Sequence, residues 1–160
     1  AHVRAERAAR PDDGLLAHDY LAYTRDVGDY WREDYSVDGE EEIRRALCIK
    51  NTIPNVSGVV FRRAALTAAL AAFGDELPAY KVAGDWALYL RLAKMGKIAF
   101  CAQSLNLHRR HVKSVTRQNN HLDEVIAVQD LAASLTTLPL AQLEQIGVYR
   151  EVLRKHFEAA

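Results

Sequence analysis

Cysteine is nearly absent: Cys48 and Cys101 are the only two among 160 residues. A disulfide framework or a thiolate zinc site needs more, so two buried free thiols in a reducing compartment are expected. No apolar run approaches the ~20 residues of a membrane span. "AHVRAERAAR" at the N-terminus is no signal peptide, because no apolar stretch follows its arginines. The chain also lacks an initiator Met and is expected to be an excised segment with more protein upstream. There is no Gly/Ser linker, internal repeat or low-complexity stretch. A phosphate-binding glycine loop, a dinucleotide fingerprint and a nucleophile elbow are likewise missing, and no Ser-His-Asp set stands out. No known DNA-binding motif or aromatic-basic interleaving is present, so nucleic acid is not expected as a partner.

What is present is an ordinary globular composition, 49% hydrophobic and 26% charged, long enough for one sizeable core. Net charge is zero but uneven. Residues 1–60 carry eight Lys/Arg against twelve Asp/Glu, residues 61–118 carry ten against three, and the remainder three against six. The middle is a cationic island able to attract a phosphorylated ligand, although solvated surface charge explains it more simply.

Apolar spacing predicts a helix over 14–27, with Leu16, Tyr20, Tyr23 and Val27 on one face. "GDYWREDYSVDG" then breaks the pattern and reads as a surface loop. "EEEIRRALCIK" predicts a second helix, its leading acids suited to the helix dipole. Pro54 excludes a helix from "NTIPNVSGVVFRR", where "VVF" reads as a short buried strand. "AALTAALAAF" predicts a helix stopped by Gly74. The next helix, "GDWALYLRLAKMG", is apolar around much of its circumference, with Gly96 as its stop. "KIAFCAQSLNLHRRH" reads as strand, turn and strand. Two helices follow, "LDEVIAVQDLAASL" and "LAQLEQIGVYREVLRKHF", with Pro139 at the start of the second.

Several groups along this order invite chemistry. If the strands ending in "FRR" and "HRRH" are neighbours, they converge with the helix start at "GDW" on one sheet edge, a place where α/β folds bind ligands. Asp85 would be held there, with Trp86 anchoring it in the core. Pattern alone favours a plain helix cap for Asp85, worth ~1 kcal/mol. Arg109, Arg110 and His111 form a compact cationic end whose guanidinium forks suit phosphate oxygens and whose imidazole suits a metal. Surface solvation is the simpler role for each of them. His108 and His111 have no third ligand at sensible spacing, which rules out structural zinc. Tyr20, Tyr23, Tyr30, Trp31 and Tyr35 crowd 16 residues; those in the loop, Tyr30, Trp31 and Tyr35, are the better sugar-stacking candidates, though packing again is simpler.

Three segments in order, "NTIPNVSGVVFRR", "GDWALYLRLAKMGKIAF" and "SLNLHRRHVKSVT", resemble the C-terminal, acceptor-side half of bacterial family 2 glycosyltransferases. The resemblance covers roughly residues 35–116, and "YLAYTRDVGDYWREDYSVDG" looks like an insertion found in bacterial members. It implies a mixed, helix-rich α/β architecture: a partial GT-A fold with a small sheet and a C-terminal helical pair, lacking the nucleotide-binding half. The expected layout is one domain, with a helical and loop insertion at 1–50, the acceptor-side core at 51–117 and C-terminal helices at 118–160.

The activity implied is inverting transfer of a sugar from a nucleotide-diphosphate donor to a saccharide acceptor. Asp85 matches the family's general base, although Gly84 stands where a Glu is common. Arg109 and His111 match an Arg-x-His ending near the donor diphosphate, where His111 would help hold Mn²⁺ or Mg²⁺. Asn55, Ser57, Trp86 and Arg110 are further expected substrate contacts. The family's Asp-x-Asp donor motif is absent, since "PDD" at 11–13 is only adjacent acids. The piece is therefore expected to be inactive alone, cytoplasmic, free of bound metal by itself, and able to pair as a homodimer. The alternative is a non-catalytic carbohydrate- or protein-binding module built on the same scaffold.

Overall fold

A computed structural model describes residues 33–53, 56–102 and 121–158. The described chain is helix-rich, with one small sheet. Strand β1 (Tyr35–Asp38) pairs antiparallel with β2 (Lys97–Phe100), Tyr35 opposite Phe100 and Val37 opposite Ile98. The Tyr35 and Phe100 rings stack 5.5 Å apart. The segment expected to be a surface loop thus holds a strand. Tyr35 and Val37 supply the alternation that turns one face inward, and pairing with β2 stabilises a four-residue strand too short to stand alone.

At the end of β1 the chain turns directly into a short helix, α1 (Gly39–Glu42), which continues as a π turn over Ile43–Leu47. Asp38 caps it by accepting the Glu40 N–H at 3.0 Å, and three glutamates fill its first turn. Gly39 is dictated by backbone packing. Its N–H donates to the Gly96 carbonyl at 2.8 Å, and a Cβ at this position would sit 2.0 Å from the Ala93 carbonyl oxygen.

Helix α2 (Arg63–Phe73) stops at Gly74, whose φ of 53° suits a residue without a Cβ. It buries only Ala69 and Phe73. Helix α3 (Gly84–Lys94) is central among the described elements and contacts α1 with its π turn, α2 and the long helix α4 (Leu122–Leu135). Trp86, Ala87, Leu88, Tyr89, Leu90 and Ala93 of α3 are all buried, so its apolar breadth is used. Met95, at its end, is largely exposed. The core is completed by Ile43, Leu47 and Cys48 on one side and by Val125, Val128 and Ala132 on the other.

The last helix, α5 (Leu140–Glu158), packs on α4 and buries Ile146. Gln129 joins three elements. Its amide donates to the Ile49 carbonyl at 2.7 Å, and its oxygen accepts from Arg150 Nε at 2.6 Å. Glu40 is a second junction, taking Lys94 at 2.7 Å, Arg44 at 2.8 Å and the Thr136 hydroxyl at 2.7 Å.

Two other expectations change. Residues 59–61 form no strand. They leave a 3₁₀ turn (Val56–Gly58) as irregular chain, and Val60 is 98% exposed. β-branched residues favour a strand only where the chain runs beside a partner edge, and among the described residues the sheet pairs only β1 with β2. Of the two cysteines, Cys48 is buried but Cys101 is exposed; burial raises the Cys48 thiol to about 11. The second strand expected before residue 111, the helix over 14–27 and the aromatics Tyr30 and Trp31 lie outside the described residues. No helix among the described residues is long and apolar enough to cross a membrane.

Candidate functional site

Asp85 occupies the second position of α3, inside the first turn, and the capping position itself belongs to Ala83. Its Oδ1 accepts the Trp86 N–H at 2.7 Å and a long hydrogen bond from Asn51 Nδ2 at 3.4 Å. Asn51 is itself braced, its side-chain oxygen accepting the Ile53 N–H at 3.0 Å. The Asp85 carboxyl is half-buried. Desolvation pushes its pKa above the ordinary aspartate value, against the opposing pull of the Trp86 and Asp85 N–H groups.

The start of α3 is held from outside the helix. Glu124, in the first turn of α4, accepts the N–H of Lys81 at 2.9 Å and those of Val82 and Ala83 at 2.8 Å each. Burial opposes ionisation of Glu124, but these three backbone donors outweigh it and draw the pKa below the usual glutamate value. A carboxylate at the positive end of α3 also suits the helix dipole. Asp85 is thus mounted on a turn whose backbone is fixed by another helix.

Trp86 is 3% exposed and donates its indole N–H to the Leu47 carbonyl at 2.8 Å. Expected among the substrate contacts, it is instead the pin that joins α3 to the π turn, its one polar side-chain atom already committed to a backbone carbonyl. One turn on, Tyr89 lies at the i+4 position from Asp85, the spacing that brings two side chains together on a helix. It is 2% exposed, and its hydroxyl has no hydrogen-bond partner among the described residues. Burial, and then the Asp85 charge, raise its pKa well above the usual phenol range. The Phe61 ring stacks on Tyr89 with centroids 6.3 Å apart. The "VVF" segment therefore meets the middle of α3 through one side chain, not its start and not as a strand.

Ser57 lies exposed in the 3₁₀ turn. Asn55, Arg109, Arg110 and His111 lie outside the described residues, as does any donor set they would make for Mn²⁺ or Mg²⁺. Among the described residues, no three His, Cys, Asp or Glu side chains gather closely enough to hold a metal ion.

Three residues of this site, Asn51, Tyr89 and Glu124, escape the sequence reading. Tyr89 was within reach of it through its i+4 spacing from Asp85. Asn51 and Glu124 arrive from distant segments with no local signal. Compared with known proteins, the chain matches no family model, no curated protein and no solved structure.

Proposed function

We propose that the chain is the acceptor-side part of an inverting glycosyltransferase with a GT-A-type architecture, working in the cytoplasm, with Asp85 as the general base. The observation that carries the proposal is the state of Asp85. It is a half-buried carboxylate of raised pKa, pinned through Oδ1 on a turn that Trp86 and Glu124 hold in place. A base works best when its pKa lies closer to the working pH than that of an exposed aspartate. The three-segment resemblance supplies the reaction.

In that reaction Asp85 takes the proton of a saccharide hydroxyl. The freed oxygen lone pair forms a bond to the anomeric carbon of the donor, and the bond from that carbon to the diphosphate oxygen breaks. The nucleotide diphosphate leaves with the electron pair, giving inversion. A divalent cation bound near Arg109, Arg110 and His111 would stabilise the charge on that leaving group. The part played by the described residues is to hold and desolvate the base.

The test is a transfer and donor-hydrolysis assay on the natural polypeptide that contains this sequence, using a panel of nucleotide-diphosphate sugars with Mn²⁺ or Mg²⁺. Sugar transfer by the wild type supports the reading. A folded protein that binds saccharide and transfers from no donor is the result expected of a non-catalytic binding module.

A further inference from the structure

Among the described residues, the Tyr89 hydroxyl is an orphaned polar group one turn from the candidate base. Buried hydroxyls ordinarily have a partner, and leaving one unmade is costly. Helical side chains lean toward the N-terminus, so the phenol of Tyr89 projects along the turn that carries Asp85. The half-buried carboxylate and the orphaned donor therefore belong to side chains one turn apart on the same face of α3, with the Phe61 ring stacked on that of Tyr89.

A hydroxyl has one O–H to donate and lone pairs to accept, the complement of this pair. We propose that Tyr89 and Asp85 grip a single saccharide hydroxyl between them, Tyr89 donating to its oxygen while the hydroxyl donates to Asp85. The inference rests on the acceptor-side reading above and assigns Tyr89 as the residue that turns the acceptor proton toward the base. Tyr89 is buried without ligand, so entry of the saccharide requires side-chain movement around it, Phe61, stacked on its ring, included.

The experiment is ligand-observed NMR titration of the natural polypeptide with the methyl glycosides of glucose, galactose, mannose and rhamnose. Wild type, Tyr89→Phe, Asp85→Asn and the double variant are compared, and each is melted without ligand. The expected result is binding of at least one glycoside, weakened about fivefold to tenfold by Tyr89→Phe. The double variant binds no more weakly than Asp85→Asn alone, because both groups hold the same hydroxyl. Tyr89→Phe melts at the wild-type temperature or higher, since it removes an orphaned group.

The proposal is overturned if no glycoside binds the wild type, if Tyr89→Phe binds like the wild type, if the two losses simply add, or if Tyr89→Phe melts markedly lower. Turnover surviving in Asp85→Asn while the binding pattern holds would remove the general-base assignment and leave the subsite standing.

Discussion

Glu124 Oε2 accepts the Ala83 N–H at 2.8 Å, tying the first turn of α4 to the residue that caps α3. With the Lys81 and Val82 N–H groups on the same carboxylate, the chain ahead of Asp85 is fixed by a side chain 41 to 43 residues away. Replacing Glu124 with Ala removes three charge-assisted hydrogen bonds and is expected to cost about 2 kcal/mol. Chemical denaturation checks this, and Glu124→Gln, which retains one acceptor oxygen, should lose less.

Gly39 admits no side chain. A Cβ there would lie 2.0 Å from the Ala93 carbonyl oxygen and 2.5 Å from that of Gly96, both backbone atoms with no room to yield. Gly39→Ala is expected to destabilise by about 3 kcal/mol. Gly96→Ala is the control, since nothing lies within 4 Å of a Cβ at that position. Equal losses in the two variants would contradict the packing described.

Acid should loosen the junction at Glu40. Its bonds to Lys94 first, then to Thr136, lower its pKa from 4.5 to about 2. A depressed carboxylate contributes stability that is present above the unfolded value and lost as pH falls toward the folded one. Melting temperature should therefore decline between about pH 4.5 and pH 2. Glu40→Gln should flatten that part of the curve and lie below the wild type near neutrality.

The helices α2, α3, α4 and α5 were legible because each has an apolar face at helical spacing and a local stop or start, such as Gly74 and Pro139. The short strand at Tyr35–Asp38 was not. Its stability comes from register against Lys97–Phe100, a partner far along the chain that no local pattern announces. The opposite error arose at Val59–Phe61, where β-branched residues have strand character but are paired with no strand among the described residues. At the site, "GDW" marked a carboxylate at a helix start, whereas the contacts of Asp85 with Asn51 and of Ala83 with Glu124 exist only once distant segments are packed.

Asp85 has the opposite sign to Glu40. Its raised pKa means that the protonated form is favoured in the folded state, so its stabilising effect is present at acid pH and lost as pH rises through the folded value. Asp85→Asn, which keeps an oxygen for the Trp86 N–H, is expected to melt at or slightly above the wild-type temperature near neutrality. The same shift should place the acid limb of the transfer rate above the pH expected of an exposed aspartate, and a limb at the ordinary value would count against a buried base.

The transfer rate of Asp85→Asn beside wild type, measured on the natural polypeptide with circular dichroism melts of both, is the most direct test. A folded variant slowed roughly 10²- to 10⁴-fold is the predicted result. A folded variant turning over within a few-fold of wild type would contradict the account and leave Asp85 as a structural part of the helix start.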